Sequence, residues 1–492
     1  MFYYFSSNKH YNMNKYAAWY WSGLVVFIIT AIFSSGYHNH DEHFQILEFC
    51  NYKLGLSPAS DLPWEFKAKI RPAIQPFIAY SLAKALSAIG IYNPFTLALL
   101  LRLFMAVLSW LAITRLLKLL LPDFSTERGK LLFVLCSMLL WFVPYTSVRF
   151  SAEGFSGMLF CFAAYLILLP NEQPAKRYRQ LLLAGALLGF AWYARVQLGF
   201  ALVGMAAWTL FIAKWQFKYC SIVLLSFIIA TGICFVTDYW LYNEWIFTPY
   251  RYFDINILHS KAAEFGVSPW WGYFELFIMN GVPPISIVLL VLFFRGIWKK
   301  PLHLFTICCL TFSIGHFFIG HKEMRFLFPM VIPFIYIVCT GIDNLQKRKV
   351  YTAGFKVLVF VNVILLLYRS VTPAQDTVSF YKYLYRQQEQ SGADSTILYT
   401  VGLSPYNTIT LNINFYKHPK LAVTVIDSIQ QLSGTPITEG KAYFFSPKML
   451  DTSTIKHYRM TPVYSTLPSW LLNFNFNNWQ ERTKISTLYK LQ

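Results

Sequence analysis

Eleven apolar stretches mark the first 370 residues, near 18–35, 95–121, 131–148, 152–170, 181–195, 197–213, 220–240, 273–294, 302–320, 326–341 and 354–368. Short polar or charged breaks separate them. A membrane-crossing helix needs roughly 20 apolar residues, fewer at an edge, so each stretch is expected to be a transmembrane helix. No small-residue cleavage site follows the first, which therefore reads as an anchor and not a signal peptide. The stretch 72–91 contains Pro72, Gln75, Pro76 and Lys84 and reads as an interfacial or re-entrant helix. Beyond about 370 the pattern changes. Short β-like runs (Ile397 to Val401, Leu421 to Ile426, Ala442 to Phe445) alternate with turn residues. The expected fold is an all-α polytopic membrane protein of about eleven transmembrane helices, residues 1–369, followed by a small α/β domain, residues 370–492.

Composition agrees with the pattern. Of 492 residues 56% are hydrophobic and 13% charged, against roughly 25% charged in a soluble domain. This excludes a disordered chain, a fibrous chain and an ordinary soluble enzyme. The 42 Lys+Arg against 23 Asp+Glu give a formal net charge of +19, and its distribution decides its meaning. With the N-terminus (Lys9, Lys15) in the cytoplasm, alternate loops carry Arg115, Lys118, Arg128 and Lys130; Lys176, Arg177 and Arg179; Lys214 and Lys218; Arg295, Lys299 and Lys300; and Lys347, Arg348 and Lys349. All fall on one side, as the positive-inside rule asks. The excess charge is thus a topology signal and not a nucleic-acid footprint, and the C-terminal domain is expected on the outer face. Seven of the eight cysteines lie in or beside apolar runs, with only Cys50 in a loop, so neither a disulfide framework nor a metal cluster is implied. There is no Asn-x-Ser/Thr sequon, which weighs against the eukaryotic secretory pathway.

On this topology the unusual polar residues gather at the outer edge. The first outer loop runs His38-Asn-His-Asp-Glu-His-Phe-Gln-Ile-Leu-Glu48, and in α-helical register Asp41, Gln45 and Glu48 share a face. Asp41 and Glu42 are candidate general bases; the competing reading is a solvated helix N-cap. His38, His40 and His43 do not have a standard zinc spacing, and no metal is expected. Trp64 and Glu65 suit a sugar, ring face on ring face and carboxylate on hydroxyl; Trp64 alone reads equally as an interfacial belt residue. Arg149 and Glu153 lie between stretches three and four, and Arg195 and Gln197 between five and six. Ionisable groups at membrane depth are functional candidates, with snorkelling at a helix end as the alternative. Most informative is Gly320-His-Lys-Glu-Met-Arg-Phe, where His321, Lys322, Glu323 and Arg325 are packed between two apolar stretches. Its cations could clamp a phosphate.

The Asp-Glu-x-Phe-Gln-x-x-Glu run at 41–48, the Trp-Glu-Phe…Ile-Arg-Pro run at 64–72 and the His-Lys-Glu-x-Arg-Phe run at 321–326 together resemble glycosyltransferase family 22, the mannosyltransferases of GPI-anchor and N-glycan lipid assembly. Asp238 to Pro249 and Ser268-Pro-Trp-Trp-Gly-Tyr-Phe resemble that family's long outer loop. The matches run from about 38 to 333, in order. Two motifs depart: His40 occupies a position usually held by proline, and Pro72 stands where serine is usual. No motif aligns beyond 370. These departures imply a distant member, with a bacterial inner membrane favoured over the endoplasmic reticulum.

The resemblance implies a GT-C fold with a catalytic outer loop, 36–94, and a polyprenyl-phosphate sugar donor of dolichyl or undecaprenyl type. It implies inverting transfer of a mannosyl or other hexosyl unit to a glycan or glycolipid acceptor, without a cofactor. Asp41 and Glu42 are then catalytic. His321, Lys322, Arg325, Arg149 and Arg195 are assigned to the donor phosphate, with Lys322 and Arg325 foremost. Trp64, Glu65, Arg71, Glu153 and Gln197 are assigned to sugar or acceptor. The absence of a nucleotide-binding loop and of an Asp-x-Asp triplet fits a lipid-carried donor. The rivals are a lipid-linked sugar flippase, which should carry charges inside its spans and show repeat symmetry, and a non-catalytic subunit of a glycosylation complex.

Overall fold

A computed structural model describes residues 13–343, 352–391, 395–408, 410–434 and 442–492. Lys9 and the Lys347-Arg348-Lys349 cluster lie outside the described residues. The chain divides into two compact units that are not continuous in sequence. The first comprises Met1–Ser34, Glu65–Ile78 and Leu99–Thr372; the second comprises Ser35–Trp64, Ala79–Ala98 and Pro373–Gln492.

The first unit is helical. Its apolar runs become helices because capping residues start them and extended residues or prolines stop them. Thr126 caps Glu127–Leu139 and Ser151 caps Ala152–Leu168, each side chain accepting an amide of the first turn. Among the described residues four helices are long and apolar enough to cross a membrane: Pro94–Asp123, Phe217–Tyr242, Met324–Ile342 and Ala353–Val371. Shorter apolar helices are Ala17–Phe33, Ala152–Leu168, Val196–Ile212 and Leu304–Phe318. Two stretches expected to be continuous are broken. Extended Leu140 separates Glu127–Leu139 from Phe142–Ser147. The prolines at 283 and 284 separate Gly272–Asn280 from Ile285–Lys299. The ambiguous 72–91 stretch is a 15-residue helix, Ile74–Ala88.

Two sets of loops assemble within this unit. Lys15 and Lys130 both pair with Glu127, Lys300 pairs with Asp123 (3.3 Å), and Asp343 accepts the amide of Ser125 (3.0 Å). Other loops are joined by different bonds: Arg149 donates to Ser34, and Asp238 accepts the amide of Ala73 (2.9 Å).

The second unit carries β1 (Thr396–Val401), β2 (Asn407–Thr408), β3 (Leu411–Asn412), β4 (Leu421–Ile426), β5 (Ala442–Ser446), β6 (Met460–Ser465) and β7 (Thr487–Leu491). Five of these form one mixed sheet, ordered β4-β1-β5-β7-β6; β2 and β3 form a separate two-stranded hairpin. β1 runs parallel to β4 and β5, while β7 is antiparallel to β5 and β6. Tyr399, Ile426, Leu432, Phe444, Met460 and Leu491 form a core on the sheet, and the helix Thr377–Ser391 adds Phe380 against Phe445. The three expected β runs coincide with β1, β4 and β5; β6 and β7 were not anticipated.

Candidate functional site

In the first unit, loops after successive helices bring five charged side chains together. Ser151 caps Ala152–Leu168 and so sets Glu153 in the first turn, where an acid is favoured. Arg195 is the C-terminal cap of Pro174–Ala194. Lys322 and Glu323 precede Met324–Met330, which carries Arg325. Glu153 is buried between two guanidinium groups, 3.2 Å from Arg195 and 3.6 Å from Arg325. Arg325 grips Glu323 through two nitrogens, at 2.7 and 3.0 Å. His321 faces Glu323 (3.0 Å) with one ring nitrogen and the Gly266 carbonyl (3.2 Å) with the other. Lys322 donates to the carbonyls of Phe317 and Ile319 and lies 5.4 Å over the Tyr273 ring; burial lowers its pKa.

Of these cations Arg195 is the most available. It is 6% exposed, yet its Nε and Nη2 have no hydrogen-bond partner among the described residues. The 3.2 Å approach to Glu153 is a charge contact without hydrogen-bond alignment. Arg149 differs. It is 1% exposed and donates to the Ser34 carbonyl and hydroxyl, tying its loop to the end of Ala17–Phe33. Neither arginine snorkels: both are buried, Arg149 hydrogen-bonded to Ser34 and Arg195 beside Glu153 with N–H donors left open.

The segment 65–73 is held by the helix Phe217–Tyr242. Asp238 is fully buried and accepts from the Ala73 amide, the Tyr193 hydroxyl and the Thr248 hydroxyl. Tyr242 donates to the Arg71 carbonyl (2.7 Å). Arg71 is thereby placed 3.5 Å from Glu65 and over the ring of Tyr252, whose hydroxyl takes a hydrogen bond from Gln197 (2.9 Å).

In the second unit Asn39 caps the turn His40–Glu42 by accepting the Asp41 amide (3.0 Å). Glu42 is buried and accepts the amide of His38 (2.9 Å), so one of its oxygens braces the loop. Asp41 is half-buried. The α-helical register expected for Asp41, Gln45 and Glu48 does not hold, because His43–Glu48 is a π-turn. The wider turn rotates Glu48 inward. There it accepts the amides of Asn414 and Phe415 (both 2.8 Å) and meets His43 (3.0 Å) and Ser57 (3.2 Å). His40 contacts Thr408 (3.3 Å). Cys50, read as a loop residue, is buried in the helix Phe49–Lys53. Trp64 is half-buried at the start of Trp64–Ala68.

Residues 18–405 match the model of the Alg9-like mannosyltransferase family. The chain belongs to this family. Membership makes it a membrane-embedded glycosyltransferase of the mannosyltransferase class. GPI alpha-1,2-mannosyltransferase 3 of Bos taurus is 22% identical over 90% of this chain and 81% of its own length. The Xenopus laevis protein of the same name is 23% identical, over 89% and 81%. In fold, this family member is similar to ArnT from Cupriavidus metallidurans, solved bound to undecaprenyl phosphate. The TM-score is 0.56 at 11% identity, covering 97% of this chain and 98% of that one.

Sequence reasoning singled out the segments that hold Asp238 and Tyr273 but not the bracing role of the one or the open hydroxyl of the other, and it missed His316 altogether. His316 is buried in the last turn of Leu304–Phe318; nothing in an apolar run marks such a residue except its polarity.

Proposed function

We propose that this mannosyltransferase moves a mannosyl unit from a polyprenyl-phosphate donor to a hydroxyl of a glycan or glycolipid acceptor, on the extracytoplasmic side of the membrane and with inversion. The acceptor oxygen bonds to the anomeric carbon, and the bond from that carbon to the phosphate oxygen breaks. Asp41 takes the acceptor proton, and the polyprenyl phosphate leaves with the electron pair. Glu42 orients the Asp41 loop through His38. Arg195 meets the charge growing on the phosphate, with Lys322 and Arg325 beside it; preorganised donors of this kind act most strongly away from bulk water. This order differs from the sequence expectation, which led with Lys322 and Arg325. Arg325 is largely engaged by Glu323, and Arg149 serves as a tie. Glu65 and Arg71 serve the sugar or acceptor, as does Trp64.

The observation that carries the reading is the buried Arg195 guanidinium with open N–H groups, set among four further charged side chains, Glu153, Lys322, Glu323 and Arg325. A buried cation with unmet donors fits an anionic ligand. The relatives' names support mannose as the sugar. The undecaprenyl phosphate of the ArnT structure supports a lipid phosphate as leaving group. Eleven crossings, a cytoplasmic N-terminus, an outer C-terminal α/β domain and a bacterial inner membrane belong to the same proposal.

The test uses purified full-length protein, radiolabelled polyprenyl-phosphate mannose and an extract of candidate acceptor lipids. Asp41→Asn should insert normally and lose transfer by roughly 10²–10⁴-fold, the range of a general base. Near-wild-type turnover would remove Asp41 from that role.

A further inference from the structure

Arg195, Gln197, Tyr273 and His316 share one property and one neighbourhood. Each is more than nine-tenths buried, and each keeps a polar atom without a hydrogen-bond partner among the described residues: Arg195 Nε and Nη2, Gln197 Oε1, the Tyr273 hydroxyl and His316 Nε2. Buried polar groups in folded proteins are almost always paired, so an unpaired set in one neighbourhood asks for a ligand. The four are neighbours. The rings of Tyr273 and His316 lie 6.1 Å apart, and both residues feel the charge of Arg195. Phe200, one turn beyond Gln197, packs on His316 at 5.5 Å.

Their chemistry narrows the ligand. His316 Nδ1 lies 2.9 Å from the Phe312 carbonyl, which can only accept. Nδ1 therefore carries the proton of the neutral ring, and Nε2 presents a bare lone pair. Gln197 turns its Nε2 to Tyr252, leaving Oε1 as an acceptor. Two unmet acceptors need hydroxyl or N–H donors. A glycosyl phosphodiester offers none from its phosphate, and the polyprenyl chain offers none at all. The hexose ring carries several hydroxyls that donate and accept at once.

We propose that Tyr273, His316 and Gln197 form the subsite that holds the hydroxyls of the donor's hexose and sets which hexose is accepted. This rests on the donor reading given above. Arg195, which precedes the turn Val196–Leu198 that carries Gln197, borders this subsite.

The decisive variant is Tyr273→Phe, because a hydroxyl without a protein partner can be deleted without breaking a bond in the free enzyme. Full-length wild type, Tyr273→Phe and His316→Phe are compared with polyprenyl-phosphate mannose and polyprenyl-phosphate glucose, varying donor and acceptor in turn. Tyr273→Phe should keep the wild-type melting temperature and acceptor KM. It should lose about tenfold or more in kcat/KM for the mannosyl donor and move the mannose-to-glucose preference towards unity, since hydrogen bonds to substrate hydroxyls are what discriminate sugars. His316→Phe should shift the same ratio, and a destabilised His316→Phe leaves the Tyr273 result to decide. A Tyr273→Phe enzyme with unchanged donor kcat/KM and preference overturns the subsite, meaning that water alone fills these positions. A wild type that uses neither donor overturns the donor reading, and the subsite falls with it.

Discussion

Glu48 shows how much one side chain can hold. It is 1% exposed and accepts two backbone amides, with His43 and Ser57 as further partners. Glu48→Ala would leave the buried Phe415 amide and the half-buried Asn414 amide unmet and open a cavity. Each orphaned group costs about 1–3 kcal/mol, so the loss should reach about 3 kcal/mol or more. Glu48→Gln, which keeps one acceptor oxygen, should lose less than half of that. Thermal unfolding of the detergent-solubilised full chain checks the order; equal melting temperatures for Glu48→Ala and wild type would contradict it. The sequence marked Glu48 as a face-mate of Asp41, and the structure makes it a clamp on a segment more than 360 residues away. No local pattern announces a π-turn or a distant amide. Charged candidates such as Glu153, Arg195 and Arg325 were legible because a charge stands out at the end of an apolar run. Tyr273 was legible only as part of the Ser268-Pro-Trp-Trp-Gly-Tyr-Phe run, and His316 not at all, because a neutral polar residue inside an apolar run resembles its neighbours.

At the scale of elements, the site depends on how closely Ala152–Leu168 approaches Met324–Met330. Gly157 makes that approach possible: a Cβ there would sit 2.7 Å from Pro329 Cα, against backbone that cannot swing aside. One turn earlier on the same helix is Glu153, 3.6 Å from Arg325. Gly157→Ala should therefore force the two segments apart, at about 1–3 kcal/mol of overpacking strain, and loosen the Glu153–Arg325 contact. The expected result is folded protein with a lowered melting temperature and reduced mannosyl transfer. Gly354→Ala, where a Cβ meets nothing within 4 Å, should leave both unchanged and serves as the control. Helices occupy every apolar stretch that the hydrophobic pattern marked. What the pattern could not give were interruptions such as the one at the prolines of 283 and 284, because residues on both sides remain apolar. It also passed over β6, whose Pro462 argues against a strand.

For the whole molecule, the decisive quantity is where the +19 lies. Within the first unit, Lys15, Lys130 and Lys300 meet Glu127 and Asp123, while Arg177 stacks on Trp215, in a loop that the proposed topology puts on the same side. A basic loop set of this kind resists translocation, because charged side chains are costly to pass through hydrocarbon and the cytoplasmic leaflet is anionic. On the proposed topology Arg149, Arg195 and Arg325 lie in the alternate set of loops, and all three are buried, so they add little to that bias. The proposed topology then fixes the side of every exposed loop. Lys176, Glu264 and Lys448 are exposed, and each can be replaced by cysteine for labelling in intact cells with a membrane-impermeant maleimide. The native cysteines are buried or half-buried, so wild type should give a low background. Glu264→Cys and Lys448→Cys should react in intact cells, and Lys176→Cys only after permeabilisation. Reaction of Lys176→Cys in intact cells would invert the assignment. Reaction of Glu264→Cys without Lys448→Cys would mean that the number of crossings between residues 264 and 448 is odd, which eleven spans do not allow.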